Sequence, residues 1–243
     1  MFSIVFSRRL LPLSPPANSN GRAAFAFRHE WIDYPVRIFA ALFFAFAAGI
    51  YFRNALNKID WTHIGLAQAV DAFSIVAVGL YTFMLACLYV TRLKPVNKFV
   101  GIVPSVTAFV GCFLLSALLF LSPRTDLSLD IKLFAAVLII IGNLFTVLSL
   151  SHLGRSFSIL PEGRRLVTSG PYSVVRNPVY LGEAVATIGV MINFLSPWAI
   201  AIIATHFALQ LARIHYEERV LRATFPEYAA YAKRTARLIP GIY

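Results

Sequence analysis

The run AVATIGVMINFLSPWAIAIIATHFALQLA, residues 184–212, decides how the rest of the chain is read. It carries no Asp, Glu, Lys or Arg, and about 18 or more such residues are what a bilayer-spanning helix needs. Near its middle stand Asn193, Ser196 and Pro197, residues that stop a helix and favour a turn. At about 1.5 Å per residue, halves of about 15 to 17 residues just cross a hydrocarbon core of about 30 Å. The expectation is a tight helical hairpin, two spans joined at 193–197.

Upstream, further apolar runs predict four more helices, at 38–52, 71–91, 99–121 and 133–153. Arg37 and Arg53 flank the first, and their long stems can snorkel to lengthen a short span. The chain is 58% hydrophobic and 14% charged, where a soluble domain averages about 25% charged residues. An ordinary soluble protein is therefore excluded. The predicted fold class is an all-α integral membrane protein of about six transmembrane helices. Residues 1–30 read as a flexible basic N-terminal tail, 31–130 as N-terminal transmembrane helices, and 131–243 as the core with a C-terminal tail.

A net charge of +11 would point a soluble domain towards nucleic acid, but basic residues between spans are what fixes membrane topology. With six spans, 18 of the 22 Lys and Arg fall on one side, leaving Arg53, Lys58, Arg124 and Lys132 opposite. The positive-inside rule then predicts a multi-pass protein with both termini cytoplasmic. Cys87 and Cys112 both lie inside apolar runs, which argues against a disulfide framework or a cysteine zinc site.

Residues 151–177 are too polar and glycine-rich to span. Gly154, Gly163, Gly170-Pro171 and Asn177-Pro178 predict ordered turns near the membrane surface, where sites are commonly built. Asn177-Pro178 reads as a helix start, with Asn capping free N–H groups and Pro at the first position. Arg176, Tyr180 and Glu183 then fall at i, i+4 and i+7, nominally one face converging on an anion. Glu183 is an acid within the bilayer, read either as functional or as structurally paired. Helix six carries His206, Gln210, Arg213 and Glu217 as a stripe expected to face protein or water. The lower end of that stripe, 213–219, is expected to be a solvated face. The aromatic and basic segment 221–237 is expected to be a lid in the headgroup layer.

The runs Leu166-Val167-Thr168-Ser169-Gly170-Pro171-Tyr172 and Val175-Arg176-Asn177-Pro178-Val179-Tyr180-Leu181-Gly182 strongly resemble the isoprenylcysteine carboxyl methyltransferase family and its phospholipid methyltransferase relatives. So do Glu217-Glu218, Leu221, Phe225, Glu227-Tyr228, Tyr231 and Leu238-Ile239-Pro240. The likeness covers roughly 150–240. Asn177 stands where the family often has His, and a His common near Arg164 is missing.

This resemblance implies S-adenosyl-L-methionine bound in a cytoplasmic loop and tail, and a lipidic methyl acceptor entering from the bilayer, with neither metal nor nucleic acid. It implies catalytic roles for Arg176 and Glu217. Cofactor contact is implied at Leu166, Thr168, Gly170, Pro171, Tyr172, Asn177, Pro178, Tyr180, Glu183 and Glu218. The cofactor's carboxylate suits an arginine or a helix N-terminus, and its ammonium suits Glu217 or Glu218. Its adenine and sulfonium suit Tyr172 or Tyr180. Whether Arg176 holds that carboxylate or an acceptor carboxylate stays open.

The implied activity is similar to protein-S-isoprenylcysteine carboxyl O-methylation, on a lipidic or prenylated carboxylate that needs no general base. A phosphatidylethanolamine N-methyltransferase or thiol S-methyltransferase on the same scaffold must remove a proton, with His206 or His215 as candidate bases. A non-catalytic membrane subunit or transporter would need polar residues through several spans, and helices one and three have almost none.

Overall fold

The computed structural model describes residues 19–59, 62–63, 65–93, 97–98 and 102–242. The chain divides into two units, 1–37 and 38–243. In the first, the described backbone is helical from Ser19, inside the stretch read from sequence as a tail, and residues 1–18 lie outside the described residues.

The helices are α1 (Ser19–Lys58), α2 (Leu66–Thr91), α3 (Ile102–Phe113), α4 (Leu129–Leu153), α5 (Pro178–Phe194), α6 (Pro197–Thr224) and α7 (Tyr228–Arg234). Two-residue strands β1 (Asn97–Lys98) and β2 (Glu162–Gly163) pair antiparallel, Asn97 opposite Gly163 and Lys98 opposite Glu162. Among the described residues, four stretches are long and apolar enough to cross a membrane: Arg37–Lys58, Leu66–Thr91, Leu129–Ser156 and Pro197–Thr224. Ile102–Phe113 and Pro178–Phe194 are shorter apolar helices. Large side chains such as Phe39, Phe73, Ile102 and Trp198 lie outside, as a surface facing lipid tails requires.

The third helix departs from its expected 99–121: regular α-helix ends at Phe113, and Leu114–Phe120 tightens into a 3-10 stretch. Only Leu195 and Ser196 separate α5 from α6. The Ser196 hydroxyl accepts from the Ala199 N–H at 3.2 Å, with Pro197 at the first helical position, the capping arrangement that starts a helix abruptly.

α4 and α5 meet along small residues. A Cβ on Gly142 would lie 2.4 Å from the Ala186 nitrogen, and one on Gly189 would lie 2.5 Å from the Ala135 carbonyl oxygen. Backbones that close leave no room for side chains, and close approach is what holds helices together where lipid removes the hydrophobic drive. The polar side chains of α4 bond to their own helix: Asn143 to the Ile139 carbonyl, Thr146 to Gly142 and Ser149 to Phe145, each at 2.8 Å. That satisfaction lets them lie buried in an apolar span. Elsewhere Phe44, Tyr89, Phe113 and Phe157 pack α1, α2, α3 and the segment after α4 together.

The consequence for the site is that α5 enters at a fixed height and angle beside α4. Gly142→Leu should force the pair apart and lower stability by at least ~1–3 kcal/mol, the range for overpacking a tight interior. Thermal unfolding in detergent measures this, and an unchanged midpoint would contradict the seam.

Candidate active site

Pro178 starts α5 at its first position as expected, but Asn177 does not cap it. Its side-chain amide instead donates to Glu218 Oε1 at 2.9 Å and to the Arg237 carbonyl at 3.0 Å. A carboxylate and a carbonyl both need donors, and the amide NH2 supplies two. Arg176 Nε donates to the same Glu218 Oε1 at 3.1 Å. Its Nη1 donates to the carbonyls of Ala232, at 2.8 Å, and Thr235. Arg237 Nε lies 3.4 Å from Glu218 Oε2. One buried carboxylate thus gathers two arginines and an asparagine from two other parts of the chain, the α5 entry and the tail. The tail is also stitched to the α5 entry by backbone bonds, Arg176 N–H to the Ala236 carbonyl and Ala236 N–H to the Val174 carbonyl.

Arg176, Tyr180 and Glu183 do not converge on one point. The Tyr180 hydroxyl donates to Glu217. Glu183 accepts from the Tyr81 hydroxyl at 2.7 Å and from Gln210 Nε2 at 2.6 Å. Gln210 Oε1 in turn accepts from Arg213 Nη1 at 2.8 Å, and Arg213 Nη2 lies 3.9 Å from Glu217. The Arg213 guanidinium also sits 5.2 Å from the centre of the Tyr180 ring, within cation–π range. The stripe on α6 therefore faces protein, as expected. Its lower end is not a solvated face: Arg213 and Glu218 are buried, while His215 and Arg219 are exposed. Burial is tolerable there because each charge has a partner.

The tail is not a lid resting in headgroups by its aromatic rings. Tyr228 and Tyr231 are buried, and the Tyr231 hydroxyl donates to the Tyr172 carbonyl at 2.7 Å. Burial pushes the Tyr172 phenol above its ordinary value and Tyr231 up to about 12, so both stay neutral near pH 7.

Between the 156–176 loop and these tyrosines lies a cleft of about 80 Å³ whose wall mixes charged, polar and apolar groups, lined among others by Ser156, Arg164, Leu166, Tyr172, Arg176, Glu217 and Tyr228. Ser156 Oγ, Arg164 Nε and the Tyr228 hydroxyl are buried without a hydrogen-bond partner. A buried donor left unsatisfied costs about 1–3 kcal/mol, so three on one cleft fit a polar ligand. A second cavity, about 240 Å³ and largely apolar, lies between α5 and α6 and is lined by Tyr180, Ala184, His206, Phe207 and Leu211 among others. Tyr180 borders the second cavity, and its hydroxyl bonds Glu217 on the first.

Residues 131–228 match the phospholipid methyltransferase family. That likeness lies in the C-terminal region of the chain. The chain is 36% identical over 140 residues to the cobalt-zinc-cadmium resistance protein CzcN of Cupriavidus metallidurans, a match covering 55% of this chain and 61% of that one. It is 33% identical over 118 residues to protein-S-isoprenylcysteine O-methyltransferase B of Arabidopsis thaliana, covering 45% and 59%. The chain thus spans about three-fifths of the length of these curated relatives. The structure of the eukaryotic intramembrane Ras methyltransferase ICMT superposes with a TM-score of 0.50 at 19% identity, covering 93% of this chain and 88% of that one. That likeness concerns the fold, and with the four apolar helices it makes this a multi-pass membrane protein.

Of the residues that the methyltransferase likeness marks, Leu166, Tyr172, Arg176 and Glu217 line the cleft, whereas Thr168, Gly170, Pro171, Asn177, Pro178, Tyr180, Glu183 and Glu218 do not. Gly170 has a structural reason to be glycine: its φ is +60°, and a Cβ there would strike the His152 ring at 2.2 Å, a conformation and space that only glycine accepts. Asn177 and Glu218 support Arg176 from behind. Ser156 and Tyr228 were missed as site residues. Tyr228 stands in a recognisable motif of the tail, whereas Ser156 carries no sequence signal. His206 lies eleven positions before Glu217, roughly 16 Å along the helix axis at ~1.5 Å per residue, and His215 is exposed. Neither is placed to serve as a base at the cleft.

Glu218→Ala should destabilise the fold by ~3–5 kcal/mol, the usual cost of leaving a buried charge unpaired. Here two arginines lose their counterion. A thermal or denaturant unfolding curve within ~1 kcal/mol of wild type would show that the cluster is not holding the tail.

Proposed function

We propose that this protein is an S-adenosylmethionine-dependent methyltransferase that esterifies a lipidic carboxylate at the cytoplasmic face of its membrane. The observation that carries the reading is the Tyr180–Glu217 contact, at which the cleft and the apolar cavity come together. Methyl transfer needs a charged, water-soluble donor and an apolar acceptor aligned in one place with water kept out.

When bound, the cofactor supplies a methyl group made electrophilic by its sulfonium. Glu217, approached by Tyr180 and Arg213, offers a carboxylate for the ammonium of the amino-acid end. Tyr172 and Leu166 give the adenine a flat apolar wall. The cleft is smaller than the ~300 Å³ at which small-molecule sites begin, so occupation moves its exposed residues, Leu160 and Arg165, outward. Tyr228 and Tyr231 close the far side against water.

The carboxylate acceptor is favoured by charge and by the position of the imidazoles. Arg176 lines the cleft, and its guanidinium gives that wall a positive charge suited to a carboxylate. His206 lines the apolar cavity but stands roughly 16 Å along α6 from Glu217, at ~1.5 Å per residue, and a carboxylate requires no deprotonation. The acceptor's apolar part suits the cavity between α5 and α6.

In topology, six crossings put both termini in the cytoplasm. α3 with its 3-10 continuation reaches about 32 Å, since 3-10 turns rise ~2.0 Å per residue. The seventeen residues of α5 reach about 26 Å.

With labelled S-adenosylmethionine and a prenylated cysteine carboxylate in nanodiscs, product label should be released as methanol by mild base, as a methyl ester requires. Arg176→Ala should lower kcat/KM at least ~100-fold, and Glu217→Gln should weaken cofactor binding at least ~10-fold in calorimetry, the scale of about 1.4 kcal/mol per decade. Base-stable label would overturn the ester, and wild-type protein that does not bind the cofactor would overturn the whole reading.

A further inference from the structure

We infer that Arg164, Ser156 and Tyr228 form the subsite for the carboxylate of the cofactor's amino-acid end, a role for which the sequence offered only Arg176 or a helix N-terminus. The inference rests on the methyltransferase reading and assigns one end of the ligand.

Three polar atoms on one cleft have no partner: Arg164 Nε, Ser156 Oγ and the Tyr228 hydroxyl. The Arg164 side chain is 1% exposed and Tyr228 is 1% exposed, so water does not satisfy them from outside. All three can donate, and a group that takes three donors is rich in acceptor lone pairs. Of the cofactor's parts, the carboxylate fits this best. Ribose hydroxyls need acceptors as well, the ammonium has none to offer, and adenine's ring nitrogens accept singly.

Arg164 is already oriented for the task. One of its terminal nitrogens, Nη2, is held by Glu162 Oε2 at 2.5 Å, and Ser158 braces that carboxylate at 2.8 Å. Glu162 belongs to β2, whose pairing with β1 fixes the backbone. The guanidinium is thereby held at Nη2, while its Nε–H has no partner in the protein and is left to donate to a carboxylate. Arg176 is less available, because its Nε and Nη1 are committed to Glu218 and to two backbone carbonyls. Glu217 on the same cleft supplies the opposite charge that an α-amino acid zwitterion needs close by.

Two ligands separate this subsite from the rest of the cleft. S-adenosylhomocysteine carries the amino-acid end, and 5′-methylthioadenosine lacks it. By calorimetry on the full chain in nanodiscs, Arg164→Gln should weaken S-adenosylhomocysteine at least ~30-fold, and Ser156→Ala and Tyr228→Phe about 5-fold each. Methylthioadenosine should stay within about 2-fold for all three. Without ligand, Ser156→Ala and Tyr228→Phe should unfold at or above the wild-type temperature, because the hydroxyls they remove bond to nothing in the protein. Equal loss for both ligands, no loss for either, or a lowered unfolding temperature in the two conservative variants overturns the inference. Failure of wild-type protein to bind either ligand overturns the methyltransferase reading itself and this subsite with it.

Discussion

The site depends on one buried carboxylate. Glu218 sits near the cytoplasmic end of α6 in the proposed topology, and on it meet Arg176 and Asn177 from the entry of α5 and Arg237 from the tail. In water such a cluster would be worth little, since exposed pairs contribute about 0–1 kcal/mol. Here the side chains of Glu218 and Arg176 are 9% and 13% exposed, so each ion would be costly alone and the partners must stay together. Specificity follows from that mutual need. Only one path of the tail brings Arg237 to Glu218 and also lets the Arg176 N–H reach the Ala236 carbonyl.

A second charged system lies deeper and does different work. Glu183, Gln210 and Arg213 form a chain of bonds that ends on Glu217. Gln210 is held by both ends of its amide, donating to Glu183 and accepting from Arg213, so its orientation is fixed by chemistry and not by packing alone. The two readings of Glu183 open at the sequence level narrow accordingly. Its carboxylate is satisfied by Tyr81 and Gln210, and it acts at a distance by orienting an arginine that stacks on Tyr180. Polar residues inside a span are therefore no loose feature here, because they set the height at which the cleft and the apolar cavity meet.

Hydropathy located the helices because each burial problem there is one-dimensional: an apolar run either is or is not long enough to cross. The break at 193–197 was legible for the same reason, since Ser196 and Pro197 leave a helix few alternatives. What could not be read was direction. Arg176, Tyr180 and Glu183 obey helical spacing, yet Arg176 precedes the first helical residue, and its side chain turns to the tail some sixty positions on. Asn177 is expected to cap through its side-chain oxygen because local geometry favours it, yet its amide is held with the NH2 on Glu218 and the Arg237 carbonyl, and the oxygen makes no cap bond. Arg213 and Glu218 were assigned to solvent because charges at a helix end usually meet water; the chain returning over them is invisible to spacing.

Ser156 and Tyr228 illustrate the remaining gap. A serine after a helix carries no pattern that marks it, and the tail motif that contains Tyr228 does not say what its hydroxyl does; the feature that singles out both is a negative one, a hydroxyl buried without a partner. Evolution tolerates such a cost where another molecule relieves it, because every atom that the protein satisfied internally would be lost to the ligand. The contrast within the same cleft is instructive. Arg176 is bound to its own protein through Nε and Nη1 and serves to shape the wall, whereas Arg164 is tethered at one end only and keeps its Nε–H in reserve. On the proposed reading, the division between arginines that build and an arginine that receives is the step by which a fold held by internal ion pairs would still retain donors for a cofactor.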